Sequence, residues 1–142
     1  MKIFEFIQAK EADWDYLLQL RKLTMTPHLE RSGQFLTEKE HHLRLNDQYD
    51  CSFLVRYKER IIGTLKYRQT DNSVEIMQIQ IHPVHQQQGF GKAIIQQVLD
   101  GAKAKRVLLT VLKNNQALAL YLRLGFNIVG EDMYEYHMQI KC

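Results

Sequence analysis

The sequence predicts an α/β fold, a single domain with a mixed, mostly antiparallel central sheet flanked by about four helices. Three observations lead there. Two segments with helical spacing follow a short opening strand. Three consecutive strand-like segments joined by tight turns come next, as in an antiparallel meander. The remainder alternates helix, strand and helix and closes with a pair of strands. Elements in this order pack as helices over a mixed sheet, and 142 residues suit one domain.

Each element has its own warrant. Residues 2–8 read as a strand whose apolar content is Ile3, Phe4, Phe6 and Ile7. From residue 11 to 25 apolar side chains recur every three or four positions, among them Trp14, Leu17, Leu18 and Met25, and Pro27 is expected to end or bend that helix. Thr37 and Glu40 form a capping-box pattern that opens a second helix reaching about Asp47. Residues 51–57 and 60–68 are strands around the Lys58-Glu59 turn, and residues 74–82 form a longer strand closed by Pro83. After Gly91 the helical period returns, followed by an apolar strand at residues 106–112. A helix over 114–124 is stopped by Gly125, and strands at 126–129 and 133–140 finish the chain.

Composition narrows the function. Hydrophobic residues make up 45% and charged residues 25%, as in an ordinary globular protein. The net charge of +3, without a long Lys/Arg run, argues against nucleic acid and suits an anionic small ligand. No metal-ligand cluster is expected. Cys51, inside an apolar run, and Cys142, at the end, read as two free thiols, the first of them buried. Residues 1–10 lack a signal-peptide core and no apolar run reaches membrane length. The expectation is a cytoplasmic protein without a membrane segment.

The chemistry concentrates at Gln86, Gln87, Gln88, Gly89, Phe90, Gly91 and Lys92. Here a strand ends, two glycines follow as Gly-x-Gly, and a helix begins. Unpaired N–H groups and the helix dipole favour an anion at such a start, and glycine lets a phosphate come close. The same pattern also serves as a plain strand-to-helix turn. A Walker A loop is disfavoured because Ala93 stands where its hydroxyl belongs, and a dinucleotide fingerprint because Ile94 replaces its third glycine.

The Gln-x-x-Gly-x-Gly at residues 86–91, directly after Ile81-His82-Pro83, resembles the pyrophosphate loop of the GCN5-related N-acetyltransferase (GNAT) superfamily. A second stretch, from Asn114 and Ala117 through Tyr121 to Gly125-Phe126, is similar to that superfamily's Asn-x-x-Ala-x-x-Leu-Tyr-x-x-x-Gly-Phe helix. The likeness covers roughly residues 51–140. It implies direct transfer of an acetyl group from acetyl-CoA, as co-substrate, to an amine acceptor, with no metal.

The resemblance also implies roles. Backbone amides of Gln87 to Lys92 would hold the pyrophosphate. The strand edge at Ile79 and Ile81 would pair with the pantetheine arm, Asn114 would bond it from the far side, and the strand around residues 107–112 would splay to admit it. Tyr121 matches the general acid that protonates the leaving sulfur. Glu75 stands eleven residues before Gln86, the spacing of the histone acetyltransferases' glutamate base. Gln78, His82 and His85 are further candidates. The acceptor site would draw on Arg21, Met25, His28, Glu30 and Arg31 and on Tyr134, Tyr136 and His137. A homodimer is compatible with the resemblance, and a coenzyme A-binding sensor without turnover is the alternative function.

Overall fold

The computed structural model describes residues 3–103 and 105–142. Seven strands form one open sheet among the described residues: β1 (Glu5–Gln8), β2 (Ser52–Tyr57), β3 (Arg60–Gln69), β4 (Ser73–Ile81), β5 (Arg106–Leu112), β6 (Asn127–Glu131) and β7 (Glu135–Lys141). Their spatial order is β1-β2-β3-β4-β5-β7-β6, and only the β4–β5 pair is parallel. Among the described residues four α-helices cover the sheet: α1 (Trp14–Arg31), α2 (Glu38–Asn46), α3 (Phe90–Gly101) and α4 (Ala117–Arg123). The mixed, mostly antiparallel sheet with four helices is the fold class expected from the sequence. The expected strand start at Lys2 lies outside the described residues.

Successive side chains of a strand point to opposite faces, so each face has its own core. Val55 packs with α3, whereas its neighbour Leu54 packs with α1 and α2. The larger core joins Val55, Ile62, Leu65, Val74, Ile76, Val107 and Leu109 to the stripe Phe90, Ile94, Ile95, Val98 and Leu99 of α3. That stripe repeats at three and four residues, as a helix lying on a sheet requires. Each such Ile or Leu, once buried, contributes about 1.5–3 kcal/mol. Gln97 of α3 also clamps the chain before β1: its side chain accepts from Phe4 N–H at 2.8 Å and donates to Phe4 C=O at 2.9 Å.

Three local expectations are corrected. Of the two outcomes expected at Pro27, ending the helix is overturned: Pro27 lies inside α1, which continues to Arg31. Proline removes one N–H, which would have bonded the carbonyl of Leu23; Leu23 is exposed, so solvent can take that carbonyl. Buried Leu29 meanwhile holds the last turn against the body of the protein. Helix α4 starts at Ala117 rather than residue 114, because the Asn115 side chain takes the Ala117 N–H at 2.9 Å. Cys51 is half-buried in a 3₁₀ turn before β2.

Candidate active site in the gap between β4 and β5

Two irregularities of the sheet coincide at Met77. Opposite β3, Lys66 pairs with Gln78 and Tyr67 with Ile76, which leaves Met77 as an extra residue, a bulge. On the other side, β4 pairs with β5 only from Ser73 to Ile76, against Arg106 to Leu109. A bulge bends its strand and increases its twist, and beyond it β4 and β5 part. Residues 78–81 therefore keep β3 on one edge, and among the described residues no strand pairs with the other edge.

The gap is a cavity of about 350 Å³. Its wall takes Arg21, Met25 and Leu29 from α1, Arg44 from α2, Met77 to Ile79 from β4 and Thr110 to Leu112 from β5. Asn115, Tyr121 of α4 and Glu135 of β7 complete it, with Gln34. Helices from both faces of the sheet thus meet at one opening.

At the end of the free edge the chain turns into α3. Gln86 holds the turn by donating from Nε2 to Ile81 C=O at 2.8 Å. Gln87 at φ +61° and Gly89 at φ +80° take left-handed conformations that swing the backbone into the helix start. Phe90 anchors the turn, buried against Phe4 and Tyr57. A Cβ on Gly91 would meet nothing within 4 Å, so the first turn of α3 faces open space. Gln86 to Gly89 and Lys92 are exposed. The residues present fit an anionic phosphate group: a glycine start, a first helical turn whose N–H groups point along the helix axis and an unobstructed approach at Gly91.

The electrostatics of the cavity are uneven. Burial, with Arg44 nearby, lowers the Arg21 pKa to about 10, so it stays cationic at neutral pH. Burial raises the Glu135 carboxyl, and Asp132 beside it pushes the same way, against His137 and Arg44. Burial pushes the Tyr121 hydroxyl up to about 12. That side chain keeps some exposure through the cavity mouth but is enclosed by protein elsewhere, with its ring edge-on to Phe126 at 5.9 Å. It remains a proton donor throughout the neutral range.

Tyr121, Gln78 and Ile79 therefore share the cavity with Arg21 and Met25. Glu75 is not in its lining; it sits in the paired part of β4 and accepts from Arg68 at 2.8 Å. Asn114 is exposed, and its Oδ1 accepts from Ser32 at 3.1 Å, which ties the β5–α4 turn to the end of α1. His28, Glu30, Arg31, Tyr134, Tyr136 and His137 are outside the lining. Sequence reasoning missed Gln34, Arg44, Asn115 and Glu135, whereas Thr110 falls in the strand at 107–112 expected to border the gap. Asn115 stands inside the recognised motif, but nothing local distinguishes Arg44 or Glu135 from solvated charges at the end of a helix or strand.

An open α/β sheet with a strand pair that separates beside a glycine-started helix defines the class. The Acetyltransferase (GNAT) family profile matches residues 14–126, and the chain belongs to this family. The mouse (Mus musculus) N-acetyltransferase family 8 member 3 is 24% identical over 107 residues, covering 68% of this chain and 47% of that protein. The chain thus spans about half the length of this curated relative. Among solved structures, an acetyltransferase from Thermus thermophilus matches with a TM-score of 0.77 at 16% identity over 100% of both chains. The PaiA N-acetyltransferase of Thermoplasma acidophilum, solved with coenzyme A, matches at 0.74 and 14% identity over 99% of both. At these identities the likeness to solved structures is one of fold. No helix among the described residues is long and apolar enough to cross a membrane.

Proposed function

We propose that the protein is an acetyl-CoA-dependent N-acetyltransferase that transfers an acetyl group directly to a primary amine. The observation that carries this reading is one continuous arrangement. A strand edge at residues 78–81, left unpaired by β5, leads to an open glycine helix start, and Tyr121 lies in the cavity beside that edge.

In this reading the Ile79–Ile81 edge pairs with the pantetheine amides as an added strand. The N–H groups from Gln87 to Lys92 hold the pyrophosphate, with Gln86 and Phe90 keeping their turn in shape. Asn114 keeps its NH₂ for a pantetheine carbonyl, since its Oδ1 is engaged by Ser32. The amine nitrogen bonds to the acetyl carbonyl carbon as the carbon–sulfur bond breaks. Sulfur leaves with the electron pair and takes the Tyr121 proton. The proton lost by the amine goes to a carboxylate, and Tyr121 is restored from solvent.

Two carboxylates compete for the base. Glu75 rests on its spacing from Gln86. Glu135 lines the cavity and carries a carboxyl raised by burial, which brings it nearer the working range of a general base. We favour Glu135.

Thermal unfolding with acetyl-CoA, coenzyme A, ATP and NAD tests the cofactor. Stabilisation by the first two alone is expected, and no shift with either coenzyme would remove the reading. Thiol release from acetyl-CoA in the presence of amines separates an enzyme from a coenzyme A-binding sensor. For the base, Glu135→Gln should flatten the acidic limb of the pH–rate profile while Glu75→Gln leaves it unchanged; the reverse result returns the role to Glu75.

A further inference from the structure

We propose that the acceptor is an amine that also carries a carboxylate, of the chemical class of a free amino acid, and that Arg21 and Arg44 hold that carboxylate. The proposal rests on the acetyltransferase reading and names the acceptor of the same site.

Arg21 carries the argument. It is 2% exposed, yet its side chain lines the cavity. Its Nε donates to His41 Nδ1 at 3.3 Å, so a neutral imidazole accepts one of the five guanidinium hydrogens. None of the ion pairs among the described residues includes Arg21. The charged groups that act on it, Arg44 in the same cavity and Lys66 beside the small void that Arg21 also lines, have its own sign, and the cavity's carboxylate, Glu135, acts with Arg44 rather than with Arg21. Glu38, which acts on His41, is engaged by Lys22 and His42. A buried cation is ordinarily paired, because removing it from water costs more than neutral neighbours return. Arg21 thus faces the cavity as a buried cation outside every ion pair of the described residues, and a carboxylate suits a guanidinium in planar, two-bond geometry.

Size and sign agree with one class of acceptor. About 350 Å³ is at the lower end of small-ligand sites. Arg21 and Arg44 lie on α1 and α2, whereas Tyr121 and Glu135 come from α4 and β7. A zwitterion can place its carboxylate at the helix pair and its amine near Glu135 and Tyr121. A polyamine would bring two or more positive charges to two arginines and one carboxylate, which disfavours it.

The test compares acetyl-CoA thiol release for a set of L-amino acids, the matching amino-acid amides, and spermine. The expected kcat/KM is at least about tenfold higher for each preferred amino acid than for its amide. Arg44→Gln, at an exposed position, should raise KM for the amino acid by a larger factor than KM for the amide. Arg21→Gln should remove the preference, with circular dichroism reporting its fold. In parallel, N-acetyl amino acids and N-acetyl amino-acid amides are compared as stabilisers of the coenzyme A complex, and only the acids should raise Tm. Equal or better use of amides or spermine overturns the proposal and leaves the acetyltransferase reading intact. Failure of N-acetyl amino acids to stabilise the complex, with no amino acid turned over, also overturns it. Absence of any acetyl-CoA binding would instead strike the underlying reading.

Discussion

The two ends of the gap are built differently. The end at residues 86–92 is made from backbone: a free strand edge, left-handed residues and the first turn of α3, all close together in sequence. The other end, proposed for the acceptor, is made from side chains that α1, α2, β7 and the β5–α4 turn bring from distant parts of the chain. A backbone site needs glycines and a helix start, and both have local signatures. A side-chain site needs only that the fold place ordinary residues together. The first can therefore be shared by a whole family while the second changes with the acceptor.

The largest test of this contrast is Gly89→Glu. It puts a Cβ at φ +80° and a carboxylate against the proposed phosphate position. Acetyl-CoA affinity should fall by about a hundredfold or more by calorimetry, equivalent to at least ~2.7 kcal/mol. If affinity survives, the backbone end does not hold the phosphates. Tyr121→Phe comes next: kcat should drop by about 10²-fold, the ordinary contribution of a positioned acid, with acetyl-CoA affinity nearly unchanged. A parallel fall in affinity would mean that Tyr121 belongs to both ends.

A smaller effect tests the acceptor end by pH. Burial, reinforced by Arg21, lowers the His41 pKa below its ordinary value of 6.5. The unfolded chain then takes up the proton first, so this contribution to stability is complete above about pH 6.5 and is lost as pH falls towards the folded pKa. Urea midpoints should decline between pH 7.5 and 5.5, and His41→Gln should reduce the slope. An unchanged slope would show that the imidazole behind Arg21 does not titrate with folding.

The smallest change lies away from both ends. Lys58 and Glu59 make the β2–β3 turn with both φ values positive, +48° and +68°. Replacing the pair by Asn-Gly should stabilise the protein by about 1 kcal/mol in urea melts. Acetyl-CoA affinity and turnover should be unaltered; a change in either would couple the turn to the site.

Much of this protein was legible without coordinates. The Thr37/Glu40 capping box, the β2–β3–β4 meander and β5 follow from side-chain period and turn chemistry, which act over a few residues. Whether α1 ends at Pro27 or runs on was left open by the local pattern, and distant packing of Leu29 outweighs the local penalty. The family of the chain could likewise be read from two short motifs, since its phosphate loop and Tyr121 helix are contiguous. Only the tertiary structure decided where β4 and β5 part, that Arg21 is buried there outside every ion pair of the described residues, and that Arg44 and Glu135 share its cavity. The physical reason is range. Capping, turns and periodicity are properties of neighbours in sequence, whereas desolvation and charge pairing depend on which remote side chains exclude water from the same space.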